Sequence, residues 1–252
     1  MIGIIIQARI DSTRLPNKVL LKLQGESVLE HVIERATKVK KADKVIVATT
    51  TKNEDAKIVD ICKSLNVDCF RGSDNDVLDR YYQAAKKFNF SDIIRITADC
   101  PMIDPEIVDR LIDLYQRENL DYATNAIPPT FPDGLDVEIF SIKALEKTWK
   151  EAKLKSAREH VTIYMWQNPN LFKQKSLNNN IDLSDRRWTI DNPEDYKFMK
   201  KVYDKLYPHN PNFRLKDLLE FFAANPEIEK INKGIKRNEG LEKSLRQDYE
   251  TY

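Results

Sequence analysis

Residues 44–97 read KVIVATTTKNEDAKIVDICKSLNVDCFRGSDNDVLDRYYQAAKKFNFSDIIRIT. Lys44–Thr49 is a short apolar run of the buried-strand kind. Ile58, Ile61, Cys62 and Leu65 recur at helical spacing, and Val67–Phe70 is a second strand. Val77, Leu78, Tyr81, Tyr82, Ala85 and Phe88 then trace one face of a helix, and Ile93–Thr97 is a strand again. Strands alternating with helices of this length predict parallel strands joined by crossovers. The pattern continues outward. Before it come a strand at Ile2–Ala8 and a helix through Val28, Leu29, Val32, Ile33, Ala36 and Val39; after it, Ile107, Val108, Leu111, Ile112 and Tyr115 make a fourth helix. The fold class is therefore α/β, a three-layer, doubly wound and mostly parallel sheet with helices on both faces.

Beyond Tyr122 the alternation stops. Ile127–Gly134 (IPPTFPDG) is a loop, and Asp136–Phe140 is a strand leading out of it. Helices are expected near Lys143–Ala152 and Arg158–Trp166, then a strand ending at Ile190. Asn192 before Pro193 is a cap followed by a first-turn proline, which starts a helix running to about Leu206, and another is expected at Leu215–Ala224. These elements predict one domain over residues 1–225, with a small inserted sub-region at 123–187. A C-terminal arm follows at 226–252, whose six acids, six bases and two glycines suit an extended or partner-dependent segment.

In 252 residues, 41 Lys and Arg face 40 Asp and Glu, a formal charge of +1, so no whole-chain field gathers nucleic acid. No apolar run approaches the ~20 residues of a membrane span, and MIGIIIQAR lacks the basic region of a signal peptide. A soluble, cytoplasmic protein without a membrane or nucleic-acid partner is expected. Three cysteines with no CxxC pair suit a reducing compartment, with Cys62 a small core residue. Three histidines add too little for structural zinc.

In a doubly wound sheet, ligands bind beyond the carboxyl ends of the strands. The loop after the first strand, ARIDSTRLPNKVLLK (residues 8–22), carries Arg9, Arg14, Lys18 and Lys22 against Asp11, a local +3. It reads either as a cradle for a di- or triphosphate or as a solvated basic loop. Neither GxGxxG nor GxxxxGK[ST] can be written among six glycines, so dinucleotide oxidoreduction and P-loop hydrolysis are disfavoured. Asp99 ends the strand of IIRITADCPMID (residues 93–104), where it either ligates a hard cation or caps a turn. Asp191 follows Trp188–Ile190 as a second strand-end carboxylate. The two aspartates and the basic loop make a metal-nucleotide site if their strands are neighbours.

These residues also carry a resemblance. IIIQARIDSTRLPNKVLLKLQGESVLEHVIERA, VIVATT, RGSDNDVLDRYYQAA, IIRITADCPMID, DGLDVEIFS, REHVTIYMWQNP and WTIDNPED, in that order over roughly residues 1–205, resemble the sugar-activating cytidylyltransferases. The match is to the spore coat polysaccharide biosynthesis type, related to the CMP-sialic acid and CMP-ketodeoxyoctulosonate synthetases. NKGIKRNEGLEKSL (residues 232–245) also looks typical of that type. The resemblance implies a nucleotide-diphospho-sugar transferase-like fold and a homodimer. It implies Mg2+-dependent transfer of CMP from CTP to an acidic or modified sugar acceptor, with release of pyrophosphate, for surface polysaccharide or glycan biosynthesis. It places Arg14 and Lys18 on the phosphates, Ala8, Arg9 and Ser73 beside the nucleotide, Arg71 on the pyrimidine side, and Asp99 and Asp191 on the metal. Arg14, Lys18, Asp99 and Asp191 are then the catalytic set. Residues 123–187 become the sugar side and a dimerisation region, with Glu138, His160 and Tyr164 on the sugar. The spacing of four between His160 and Tyr164 puts them on one helical face, as a shared ligand site or as a packing pair. Thr97-Ala98-Asp99 departs from the Gln-Gly-Asp of the ketodeoxyoctulosonate enzymes, so the acceptor is not transferable from them. The competing readings are a sugar-1-phosphate nucleotidyltransferase using another NTP and a nonenzymatic nucleotide-binding protein.

Overall fold

A computed structural model describes residues 1–250, with side chains through Asp248. The strands are β1 (Ile2–Gln7), a short β2 and β3 hairpin (Lys22–Leu23, Glu26–Ser27), β4 (Lys44–Thr50), β5 (Asp68–Gly72), β6 (Asp92–Thr97), β7 (Tyr122–Thr124), β8 (Glu138–Ser141) and β9 (Gln174–Ser176). The helices are α1 (Val28–Ala36), α2 (Ala56–Ser64), α3 (Val77–Lys87), α4 (Pro105–Glu118), α5 (Ile142–Glu151), α6 (Lys155–His160), α7 (Ile163–Gln167), α8 (Pro193–Leu206), α9 (Leu215–Ala224), α10 (Pro226–Glu229) and α11 (Glu239–Glu250). The main sheet runs β5-β4-β1-β6-β8-β7-β9. β5, β4, β1 and β6 are parallel to one another, while β8 is antiparallel to both β6 and β7.

Each central strand feeds two cores, as side-chain alternation requires. Ile4, Ile6, Val47, Ile94 and Ile96 join the core under α1, α4, α8 and α9; Ile5, Ile46, Ala48 and Ile93 join the core under α3, α5, α6 and α7. Cys62 is fully buried in the first of these cores. Both faces are covered, which is why these strands read as continuous apolar runs. The order reverses at β1, with β4 on one side and β6 on the other, so a crevice opens beyond the ends of β1 and β6.

Three expectations need correction. Trp188–Ile190 is not a strand of the sheet: its neighbours are loops, so its amides pair singly, Trp188 N–H with the Asp133 carbonyl at 2.6 Å and Ile190 N–H with that of Asp99 at 2.9 Å. The loop at Gly134 passes so close that a Cβ there would overlap the Trp188 backbone, and φ is +107°. The helix expected over Arg158–Trp166 is broken at Val161, whose φ of 64° ends α6 before α7 begins. The arm, expected as an extended or partner-dependent segment, is not extended but folds back: Ile228 is buried, and Leu241 and Leu245 of α11 pack on the second core beside α6. Residues 251–252 of the arm lie outside the described residues. Among the described residues, no helix is long and apolar enough to cross a membrane.

Candidate active site

The ends of β1 and β6 are tied together by the Ala98 N–H donating to the Gln7 carbonyl at 3.1 Å, which brings Ala8 and Asp99 to the same edge. Past Ala8 the basic loop is fixed by the Ile10 N–H on the buried Asp55 carboxylate, at 2.8 Å. Asn17 takes a left-handed conformation (φ 57°), and a single 3-10 turn, Lys18–Leu20, starts there, with Val19 anchored in the core. Lys18 is thereby aimed inward. Its Nζ donates to Asp99 Oδ2 at 2.6 Å and to Asp191 Oδ1 at 2.8 Å.

Asp99 also accepts from Thr97 Oγ1 at 2.6 Å. Burial alone would raise the Asp99 carboxyl, but Lys18 and the Thr97 hydroxyl outweigh it and hold the group at about 2. Burial likewise opposes charge on Lys18, yet the two carboxylates hold its ammonium well above the usual lysine range. Asp191 is mounted from behind. Its N–H donates to Asp195 Oδ2 at 3.0 Å, and Arg187 reaches its Oδ2 at 3.2 Å while gripping both oxygens of the buried Asp195 (2.9 and 3.0 Å) and Asp133 (2.8 Å). Arg14 adds an ion pair to Asp191 Oδ1 at 2.9 Å.

Two cavities of about 290 and 310 Å³ meet at Asp99, Asp191 and His160. The second gathers Ala8, Arg9, Arg14 and Lys18 along the basic loop. The first lies toward the inserted region, between Arg95, Glu138, Asp136 and the apolar walls of Ile163 and Trp166. Glu138 pairs with Arg95 at 2.6 Å and accepts from the Tyr122 and Thr162 hydroxyls, each at 2.6 Å. Burial pushes the Asp136 carboxyl up to about 7, against the opposing charge of its partner Arg237.

Of the residues singled out from sequence, Ala8, Arg9, Arg14, Lys18, Asp99, Asp191, Glu138 and His160 line these two cavities. Tyr164 does not. The break at Val161 rotates it away, and its hydroxyl donates to Glu151 at 2.7 Å on the exposed side of α7. Arg71 and Ser73 stay outside as well: Arg71 donates to the Thr50 and Lys52 carbonyls (2.9 and 2.6 Å), and Ser73 Oγ accepts from the Asp76 N–H at 3.1 Å. Arg80 of α3, by contrast, lines the basic-loop cavity; it is 2% exposed, and among the described residues its Nε has no hydrogen-bond partner. Arginine on the apolar face of a helical pattern was the available signal, as was Arg95 in the otherwise apolar IIRIT.

Among the described residues, no group of three or more His, Cys, Asp or Glu could hold a metal on protein ligands alone. The donor set still fits Mg2+. Two hard carboxylates converge on one small cation, the Lys18 ammonium, and magnesium is commonly bound by one or two carboxylates with waters and substrate phosphates completing the shell.

The family model described as Cytidylyltransferase matches residues 3–238. The chain is 42% identical over 238 residues to an uncharacterised protein of Methanocaldococcus jannaschii, covering 92% of this chain and 95% of that one. It is 32% identical over 235 residues to the spore coat polysaccharide biosynthesis protein SpsF of Bacillus subtilis, covering 88% and 94%. A solved cytidylyltransferase structure from Leptospira borgpetersenii superposes with a TM-score of 0.87 at 39% identity, covering 94% of this chain and 99% of that one.

Proposed function

The chain belongs to the cytidylyltransferase family, and from that premise we propose that it transfers CMP from CTP to a sugar acceptor in surface polysaccharide or glycan biosynthesis, releasing pyrophosphate. The observation that carries this reading is the meeting of a cation-lined cavity and a carboxylate-lined one at Asp99 and Asp191, with Lys18 between them. The basic-loop cavity takes the nucleotide, with Arg14 and Lys18 on its phosphates. Arg80 takes the pyrimidine-side role that the family resemblance placed on Arg71, because Arg80 lines this cavity and Arg71 does not. The cavity beside Glu138 and His160 takes the acceptor.

Phosphoryl-group transfer asks the protein chiefly for positioning and charge neutralisation. Mg2+ on Asp99 and Asp191 would supply a Lewis acid for the phosphate oxygens. Lys18 must leave the aspartates for this to occur, and its four-carbon stem lets the ammonium move onto the phosphates, where it neutralises charge together with Arg14. Asp195 and Arg187 keep Asp191 in place while this exchange happens. The acceptor hydroxyl oxygen attacks the α-phosphorus, its proton passes to solvent, and the bond to pyrophosphate breaks. In keeping with the family resemblance, we place the enzyme in the cytoplasm as a homodimer.

The test is the unfolding midpoint with CTP, UTP, ATP or dTTP, each with and without Mg2+. A ligand at 100 times its Kd stabilises the native state by about 2.7 kcal/mol. CTP with Mg2+ gives the largest rise; an equal rise with ATP or UTP contradicts the assignment of cytidine.

A further inference from the structure

The segment NKGIKRNEGLEKSL, residues 232–245, lies across the active face, and its polar side chains meet site residues one after another. Asn232, 3% exposed, donates to Asp195 Oδ1 and to the Arg187 carbonyl, both at 3.0 Å. Arg237 pairs with Asp136 and donates to the Phe131 carbonyl at 3.0 Å, and Ser244 Oγ lies 3.0 Å from His160 Nε2. Between these anchors, Asn238 takes a left-handed conformation (φ 59°) and turns the chain so that Glu239 and Gly240 border the acceptor cavity. Glu239 Oε2 there meets Arg14 Nη1 at 2.9 Å, while Arg14 Nη2 meets Asp191 Oδ1 at 2.9 Å.

Both ends of the Arg14 fork are thus held by carboxylates, and a phosphate can engage this guanidinium fully only by displacing one of them. The two are unequal. Asp191 is also held by Lys18 and Arg187, whereas among the described residues Glu239 makes one ion pair, the one to Arg14. The Arg14 and Glu239 side chains are 38% and 41% exposed, so the freed carboxylate is readily solvated and the pair itself is weak.

We propose that Glu239 sets the nucleotide affinity of this site by holding Arg14: a polyphosphate takes Arg14 from Glu239 on binding, and Glu239 reclaims it when the phosphates leave. Glu239 acts through Arg14 and is a positioning residue. The step rests on the phosphate-binding role given to the basic loop above. It makes the arm part of the nucleotide site, with Asn232, Arg237 and Ser244 fixing its position.

The experiment is calorimetric titration of the full chain with CTP and, separately, with inorganic tripolyphosphate, for wild type, Glu239→Gln, Arg14→Ala and the double variant. Glu239→Gln is expected to lower Kd for both ligands by about three- to tenfold at low ionic strength, less at high salt. In the Arg14→Ala background the same change is expected to move Kd by under twofold. An unchanged or higher Kd in Glu239→Gln, with an unaltered unfolding midpoint, overturns the proposal, and so does an equal gain without Arg14. Should tripolyphosphate show the Glu239 effect while CTP does not bind, the nucleotide assignment fails and the role of Glu239 stands. Normal CTP binding with no Glu239 effect on either ligand overturns the role of Glu239 and leaves the nucleotide assignment standing.

Discussion

At the scale of single residues, the site is a set of charges that neutralise one another until substrate arrives. Asp99 has its carboxyl at about 2, below the usual range for an unfolded aspartate, so its ionisation contributes stability above about pH 4 and that contribution is lost as pH falls toward 2. Replacing Lys18 with Met removes the partner that keeps the buried carboxylate charged, so burial then raises its pKa. A carboxyl whose folded-state pKa is raised takes up its proton in the folded state first, so the stability lost in Lys18→Met is expected to be largest near neutral pH and to shrink as pH falls toward 3, read by denaturant unfolding across pH 3–7. A deficit that does not change with pH would mean that Lys18 does not hold Asp99. The base side gives a second expectation. Arg80→Gln should weaken CTP binding by about tenfold, the scale of one charge-assisted hydrogen bond, whereas Arg71→Gln, whose guanidinium serves the Thr50 and Lys52 carbonyls, should leave it within twofold. The basic loop, Asp99 and Asp191 were legible in the sequence because charged residues at strand ends are rare and conspicuous. Arg71 and Arg80 lie nine positions apart in one charged stretch, and only the direction of α3 decides which reaches the cavity.

At the scale of elements, legibility followed length and burial. β1, β4 and β6, buried on both faces, and the helices α4 and α8, each opened by a proline, stand where periodicity and capping put them. β7 and β9 have three residues each, too few for alternation to show. Trp188–Ile190 is apolar and extended, but no local pattern reveals that its hydrogen-bond partners are loops. His160 and Tyr164 do not share a helical face for a related reason: a spacing of four puts residues together only on a continuous helix, and Val161 interrupts it. Gly134 is the element-scale test. Its positive φ and its approach to the Trp188 backbone leave no space for a methyl group, so Gly134→Ala should lose about 2–4 kcal/mol of stability in denaturant unfolding. Because the displaced segment leads to Asp191, CTP binding in the presence of Mg2+ should weaken as well. A variant as stable as wild type would show that the loop relaxes without strain.

At the scale of the whole molecule, the sheet order reverses at β1 and brings the end of β6 beside the segment 188–191, so carboxylates 92 positions apart share one lysine. The arm then returns from the far end of the chain to the same place. Sequence could not show this return, since its anchors are scattered, polar contacts to separate partners and the isolated apolar Ile228, Leu241 and Leu245, and its charge balance reads as an extended or partner-dependent segment. We propose that Asp99 and Asp191 together hold a cation, which Lys18 replaces when no substrate is bound. It is tested most directly by measuring CTP affinity against Mg2+ concentration for wild type, Asp99→Asn and Asp191→Asn. The expected result is that Mg2+ tightens CTP binding at least tenfold in wild type and under twofold in either variant. Without Mg2+, both variants should bind CTP at least as tightly as wild type, because Lys18 has lost a competing carboxylate. A full Mg2+ response in either variant would contradict the account.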